Sequence, residues 1–213
     1  MKEKNMLKLF YLPGSCSLVS HIALEWSGLD YSAEEVQHDT IKNTEYLALN
    51  PQGQVPLLVD GKWALAENFA IIDYINDLVP EKAIFGTKAI TDVHARAKVR
   101  QWLAFANSNL HPAFGPIFKV ATLVDDKEAQ VSLIKNASMK IVKLFASVDH
   151  ALKDQNYLAG TDLSIADVYI YVMLRWTEIC KIDLSEYANL QPFYHRVEAD
   201  QRVKTALKSE GLV

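Results

Sequence analysis

The sequence is poor in cysteine, and this shortage already excludes several kinds of site. Only two cysteines, Cys16 and Cys180, occur among the 213 residues, and they lie far apart. Two thiols cannot form a zinc site built on cysteine spacing, and so few cysteines fit a reducing compartment. We therefore expect a protein that folds without disulfides and that holds no metal ion.

Long apolar runs are also missing. No stretch of the sequence reaches the roughly 18 consecutive apolar residues that indicate a membrane-spanning helix. The N-terminus begins with charged residues and has no apolar segment of signal-peptide length. We expect a cytoplasmic protein that does not act on membranes, with residues 1–5 forming a disordered tail.

Basic charge is in short supply as well. The chain carries 22 Lys and Arg against 26 Asp and Glu, a formal net charge of -4. A general nucleic-acid binder usually has a basic excess, so this balance disfavours nucleic acid as a partner. Half of the residues are apolar and 23% are charged, which is typical of a globular protein with an ordinary core.

The N-terminal part has the pattern of a small α/β domain. An apolar run at Leu7–Leu12 predicts a strand, helical spacing over Ser15–Gly28 predicts a helix, and alternation over Tyr31–Val36 predicts a second, parallel strand. The Asp60-Gly61 turn then predicts a hairpin of 57–59 with 63–65, and a helix follows over 67–78. The expected order is β-α-β, then β-β-α.

The C-terminal part shows amphipathic helical patterns and no convincing strand. These patterns cover Val93–Asn109, Lys127–Lys153, Ser164–Lys181 and Leu190–Asp200. The fold class is therefore α/β followed by all-α, with an α/β domain over 6–83 and an all-helical domain over 93–213. We interpret Ser164-Ile-Ala-Asp167 as a capping box, with a structural role only.

Cys16 is the strongest candidate for a chemical role. It lies between the first strand and the first helix, in Pro13-Gly-Ser-Cys-Ser17. A helix N-terminus favours a thiolate, so we expect the pKa of Cys16 to fall below the free value of about 8.5. The alternative is a small buried core residue, the usual environment of a free cysteine.

Other polar or constrained positions have two interpretations each. Val55-Pro56 could form a cis bond that turns the backbone of Val55 toward an extended ligand, or a rigid trans loop. Glu67-Asn68 opens a helix, either as a cap or as a site for a ligand's ammonium and carboxylate groups. His111 could donate to a bound sulfur or be structural, and Lys42 could anchor a carboxylate or be solvated.

Taken in order, these segments resemble the cytosolic glutathione transferases, and most closely the bacterial beta class. The resemblance covers the chain from about residue 6 to Val213. It is carried by Lys8-Leu-Phe-Tyr-Leu-Pro-Gly-Ser-Cys-Ser-Leu18, Asn50-Pro-Gln-Gly-Gln-Val-Pro56, Leu65-Ala-Glu-Asn-Phe-Ala-Ile71 and Leu163-Ser-Ile-Ala-Asp167. The Pro-Gly-x-Cys-Ser pattern is the most specific of these segments.

The resemblance implies a thioredoxin-like N-terminal domain, a helical C-terminal domain and a homodimer. It implies Cys16 and His111 at the glutathione sulfur. The implied glutathione-binding residues are Lys42, Val55, cis Pro56, Glu67 and Asn68. Glutathione would be a co-substrate, with no further cofactor.

Three positions depart from the pattern of relatives: Pro112 in place of a lysine, Ala104 in place of an asparagine, and Asn68 in place of a serine. They bear on catalytic strength and on the choice of electrophile more than on glutathione binding.

The expected function is conjugation of the glutathione thiolate to small hydrophobic electrophiles. An apolar pocket lined by Phe114, Phe118 and Trp176 would hold the electrophile. Thiol–disulfide exchange through Cys16 is a further activity of the same site. The alternative is a non-catalytic protein of the same fold that carries hydrophobic ligands or binds a regulatory partner.

Overall fold

A computed structural model describes residues 6–213 of the protein, and the predicted tail at 1–5 lies outside the described residues. The strands are β1 Leu7–Tyr11, β2 Tyr31–Glu35, β3 Leu57–Asp60 and β4 Trp63–Ala66. They form one sheet in the order β2-β1-β3-β4. Strand β1 pairs parallel to β2 and antiparallel to β3, and β3 pairs antiparallel to β4. The predicted β-α-β unit and the hairpin at Asp60-Gly61 are both confirmed.

Helix α1, Ser17–Ser27, fills the space between the sheet and the C-terminal helices. Leu18, Ile22 and Leu24 are fully buried, because the helix packs against neighbours on more than one side. Gly28 ends the helix in the left-handed conformation, with φ of 66°, as the sequence predicted. The N-terminus of α1 is thereby held at one edge of the sheet, where Cys16 lies.

The outer face of the sheet is covered by a helix that the sequence did not reveal. Helix α2, Thr44–Leu49, follows a single 3₁₀ turn at Thr40–Lys42, in a region where the sequence analysis predicted no helix. Its Tyr46 packs edge-on against Phe10 of β1 and belongs to a small second core. One buried side chain gives too weak a periodicity to predict a helix.

Helix α3, Asn68–Leu78, completes the α/β part. The remaining helices are α4 Val93–Phe105, α5 His111–Phe118, α6 Val120–Leu123, α7 Lys127–Ala151, α8 Ile165–Ile179, α9 Leu190–Glu198 and α10 Gln201–Ser209. The fold class, thioredoxin-like α/β followed by an all-helical part, is confirmed. The short α6 and the C-terminal α10 were not predicted.

Helix α8 is the centre of the helical part. All its residues from Ile165 to Leu174 are buried. Its first turn is held by the predicted capping box, in which Asp167 accepts hydrogen bonds from the backbone N–H and the hydroxyl of Ser164 at 2.9 and 2.7 Å. Asp167 also accepts from the N–H of Leu158 at 2.7 Å, so the box ties the preceding loop to the helix.

Two prolines, Pro112 and Pro116, fall within a helical stretch of the chain. A π-helical segment, Ala106–Leu110, joins α4 to α5 without a loop. Pro112 falls in the first turn of α5, where its missing N–H costs little, and Pro116 comes two residues before the helix ends. The chain therefore stays helical through both prolines, and the distortion appears as a π segment beside His111.

Within residues 6–213, no helix is both long and apolar enough to cross a membrane.

Candidate active site

A cavity of about 220 Å³ lies where the first domain meets the helical part. It is lined by Cys16, Asn50, Gln52, Gln54, Val55, Pro56, Ala66, Glu67, Asn68, Asn107, His111, Pro112 and Tyr169. Five of the predicted site residues in the first domain and the predicted His111 of the second therefore meet around one space, although they come from four separate stretches of the chain. The described part of the chain contains no group of three or more His, Cys, Asp or Glu placed to hold a metal ion.

The thiol of Cys16 faces this cavity from the turn before α1. Its side chain is largely buried, and Sγ donates a weak hydrogen bond to the carbonyl oxygen of Val55 at 3.6 Å. Burial raises the pKa of Cys16 to about 12, and the carboxylate of Glu67 adds to the rise. Hydrogen bonds from the backbone N–H groups of Cys16 and Ser17 lower the pKa, but by less. The expected fall in the pKa was therefore wrong, because desolvation outweighs the helix terminus.

The loop before Pro56 is shaped by two hydrogen bonds to one carbonyl. Tyr46 Oη and Asn50 Nδ2 donate to the carbonyl oxygen of Gln54 at 2.7 and 2.8 Å. The Val55-Pro56 bond is cis, which confirms the first of the two interpretations. Among residues 6–213, nothing hydrogen-bonds the N–H of Val55. The N–H of Val55, which lines the cavity, can therefore pair with a ligand.

Glu67 holds an unusual backbone conformation at the start of α3. Its φ is 73°, which non-glycine residues rarely adopt, and its side chain makes no capping bond. Glu67 occupies the N-cap position of α3, so its charge can still complement the helix dipole although its side chain makes no capping hydrogen bond. Among the described residues that line the cavity, Glu67 alone carries a formal charge.

The side chain of Asn68 is fully engaged within the protein. Its Nδ2 donates to the carbonyl oxygen of Cys16 at 2.6 Å, and its Oδ1 accepts from the Ser20 hydroxyl at 2.6 Å. Asn68 therefore joins the start of α3 to the start of α1, and only its backbone N–H at the helix terminus is left for a ligand.

His111 enters the cavity from the second domain. Burial lowers its pKa, so the imidazole is neutral near pH 7. Its Nδ1 lies 3.2 Å from the hydroxyl of Tyr169, which donates to Asn107 Oδ1 at 3.0 Å. Neither Tyr169 nor Asn107 was predicted as a site residue. Asn107 lies one helical turn before His111 and three positions after Ala104. Tyr169 lies in the buried first part of α8, where the sequence pattern indicates a core residue.

The three predicted electrophile-pocket residues lie together, but they do not line this cavity. The ring centroids of Phe114, Phe118 and Trp176 are 5.1 to 6.0 Å apart. The ring centroid of Trp176 is 5.1 Å from that of His111. Phe114 is fully buried and Trp176 is 6% exposed, whereas Phe118 is 51% exposed. Of these three residues, only Phe118 thus offers substantial apolar surface.

Lys42 is the one predicted site residue in the first domain that the structure leaves outside the cavity. It ends the 3₁₀ turn at Thr40–Lys42 and its side chain is exposed. It is absent from the lining of the cavity.

Family models match both parts of the chain. The glutathione S-transferase N-terminal domain matches residues 14–78 and the glutathione S-transferase C-terminal domain matches residues 110–200. The chain belongs to the glutathione S-transferase family. The transferase from Xanthomonas campestris named GST-4.5 is 42% identical, over 97% of this chain and 100% of its own.

Solved structures agree with this assignment. A glutathione S-transferase from Xylella fastidiosa superposes with a TM-score of 0.92 at 40% identity, covering 97% of this chain and 100% of its own. A beta class transferase from Sphingomonas chungbukensis has a TM-score of 0.83 at 36% identity, with coverage of 97% and 100%. The resemblance to the beta class and the prediction of a glutathione transferase are confirmed.

Proposed function

We propose that the cavity binds glutathione in an extended conformation, with its cysteinyl part against the backbone of Val55 beside cis Pro56. The observation that carries this proposal is the meeting of Cys16, Val55 and Glu67 around one space. Glu67 offers a carboxylate for the ligand's ammonium group. The N–H groups at the start of α3 offer donors for the adjacent carboxylate.

The roles of two other predicted residues change with the geometry. Asn68 acts through its backbone N–H and by holding Cys16, because its side chain is already bonded. Lys42 is exposed next to the site, and we assign it at most a contact with the glycyl carboxylate from the rim.

Cys16 and His111 serve the glutathione sulfur in this proposal. Because burial keeps Cys16 protonated, its S–H can donate to a glutathione thiolate in place of the Val55 carbonyl oxygen. His111 is neutral and can take up the thiol proton. The thiolate then forms a bond from sulfur to the electrophile. The leaving group of the electrophile departs with the electron pair of the bond that breaks.

We assign the electrophile to the helical domain, residues 93–213. The exposed ring of Phe118, backed by Phe114 and Trp176, forms an apolar wall next to His111. Such a wall selects small hydrophobic electrophiles and holds them near the sulfur, where proximity raises the rate. Glutathione is a co-substrate here, and we propose no additional cofactor.

Disulfide exchange is the secondary activity of the same site. The Cys16 thiolate would attack the glutathione sulfur of a glutathionylated substrate and release the substrate thiol. A glutathione thiolate would then attack this mixed disulfide, releasing Cys16 and forming glutathione disulfide. The raised pKa of Cys16 favours conjugation as the main activity.

We further propose a homodimer and a cytoplasmic location. The dimer is supported by large apolar side chains that stay exposed on the single chain, among them Trp63, Ile90 and Val93. Both cysteines are free thiols, which fits the reducing cytoplasm where glutathione is abundant.

Calorimetric titration with glutathione, together with a conjugation assay on an aryl halide, tests the proposal. Glu67→Gln should weaken binding about 10- to 100-fold, since a hydrogen bond to a charged group is lost. Glu186→Gln, at an exposed glutamate that does not line the cavity, is the matched control and should bind normally.

Two outcomes would contradict it. Unchanged binding in Glu67→Gln would remove the assigned role of Glu67. Tight binding with no conjugation by the wild type, and no change in Cys16→Ala, would favour the alternative of a non-catalytic binding protein.

A further inference from the structure

The hydroxyl of Tyr169 lies at the junction of the two domains inside the site. The side chain is fully buried on α8, yet its oxygen borders the cavity. It lies 3.2 Å from His111 Nδ1 and 3.0 Å from Asn107 Oδ1. Tyr169 therefore joins His111 and Asn107, two polar residues that line the cavity.

The single proton of the Tyr169 hydroxyl determines the direction of its hydrogen bonds. A phenol has a single proton, and an amide oxygen can only accept, so Tyr169 donates to Asn107 Oδ1. The phenol oxygen must then accept a hydrogen bond from its other neighbour, His111. His111 Nδ1 can approach it at 3.2 Å only as a donor, so Nδ1 carries the imidazole proton.

The phenol oxygen of Tyr169 thus receives one proton from His111 Nδ1 and gives its own proton to Asn107 Oδ1.

We propose that Tyr169 and Asn107 are positioning residues that hold His111 in the Nδ1–H tautomer. The other ring nitrogen, Nε2, then presents a lone pair. Among residues 6–213, Nε2 has no hydrogen-bond partner, and it is not one of the buried polar atoms. Because His111 lines the cavity, this lone pair is open to a ligand. In this tautomer His111 is an acceptor for a thiol proton rather than a donor to a sulfur.

The chemical step follows from that assignment, and it rests on the proposed binding of glutathione in this cavity. The S–H bond breaks, an Nε2–H bond forms, and the electron pair stays on sulfur as the thiolate. The imidazolium keeps its bond to Tyr169 through Nδ1–H, so the ring does not need to turn during the transfer. The proton leaves to solvent after the sulfur has attacked.

The tautomer can be measured without any ligand, by two-bond ¹H–¹⁵N correlation spectra of the ¹⁵N-labelled protein near pH 7. The His111 signals are identified by their loss in His111→Gln. We expect the Nδ1–H pattern in the wild type. In Tyr169→Phe we expect a change to the Nε2–H form, the one that free histidine prefers.

Two substitutions at Asn107 provide the matched pair. Asn107→Leu removes the acceptor, which frees the tyrosine proton for His111 Nδ1 and should also produce the Nε2–H form. Asn107→Asp keeps an acceptor and should retain the Nδ1–H form. Because these changes leave the phenol in place, they carry the test even if Tyr169→Phe does not fold.

Kinetics provide a second measurement. Tyr169→Phe should lower kcat for conjugation about tenfold with little change in the KM for glutathione, as expected when a proton acceptor is lost. An Nε2–H pattern in the wild type, or the same pattern in the wild type and Asn107→Leu, would overturn the inference. Failure of glutathione to bind would instead contradict the proposed function, since the spectra of the free protein do not depend on it.

Discussion

The carboxylate of Glu210 accepts a hydrogen bond from the backbone N–H of Gly14 at 2.9 Å, although 196 positions separate the two residues. Its other oxygen lies 2.8 Å from Nδ1 of the buried His21 in α1. On the opposite side, the carbonyl oxygen of Gly14 accepts from Trp176 Nε1 at 2.9 Å. Two parts of the helical domain therefore hold the turn that presents Cys16.

Removing Glu210 should destabilise both the fold and this turn. In Glu210→Ala the N–H of Gly14 and the buried ring of His21 lose their acceptor, and we expect a loss of about 2–4 kcal/mol in the free energy of unfolding. Urea denaturation followed by circular dichroism measures it. Glu186→Ala, at an exposed position, is the control and should change stability little. Equal stability of the two variants would show that the buried carboxylate contributes nothing.

The reactivity of Cys16 tests the effect of burial on its pKa. In the Cys180→Ser background and without added glutathione, alkylation of Cys16 should be slow near neutral pH and should still be rising above about pH 9. A pKa near 12 in place of the ordinary value of 9.0 implies a roughly thousandfold smaller thiolate fraction. A rate that levels off below pH 9 would contradict this.

The raised pKa of Cys16 also makes the stability of the protein depend on pH. Because the folded pKa lies above the unfolded one, the protonated thiol favours folding. That contribution is complete below about pH 9 and is lost as the pH rises toward 12. A Cys16→Ala variant should therefore lose less stability than the wild type on going from pH 8 to pH 11, measured by urea denaturation.

The backbone of Glu67 predicts a conflict between stability and binding. Glycine adopts φ of 73° without a steric penalty, so Glu67→Gly should raise the free energy of unfolding by about 1 kcal/mol. The same change removes the carboxylate and should weaken glutathione binding. Glu67→Ala is the control, because it loses the carboxylate and keeps the strain. A Gly variant no more stable than the Ala variant would show that this backbone is not strained.

The capping box of α8 predicts a large structural effect away from the reacting groups. Asp167→Ala would leave the N–H groups of Leu158 and Ser164 buried without an acceptor. We expect a loss of about 2–4 kcal/mol in the free energy of unfolding. Asp125→Ala, at an exposed position before α7, is the control for thermal and urea denaturation. A loss as small as that of the control would contradict this account.

The sequence alone was sufficient for the elements with strong local signals. The apolar run of β1, the helical spacing of α1 with Gly28 at its end, and the Asp60-Gly61 turn each depend on neighbours in the chain. Motif order was enough to predict the family and to single out Cys16, Val55, Glu67 and His111. The helix α2 was missed because only Tyr46 is buried, so its periodicity is almost absent.

Only the tertiary structure decided how these residues behave. The pKa of Cys16 rises because groups distant in sequence exclude water from it, and Asn68 is occupied because α1 lies next to α3. Tyr169 reaches His111 and Asn107 across about 60 positions, through the packing of α8 against the π segment. Local patterns determine elements, whereas desolvation and hydrogen-bond partners depend on contacts that form only when the chain is folded.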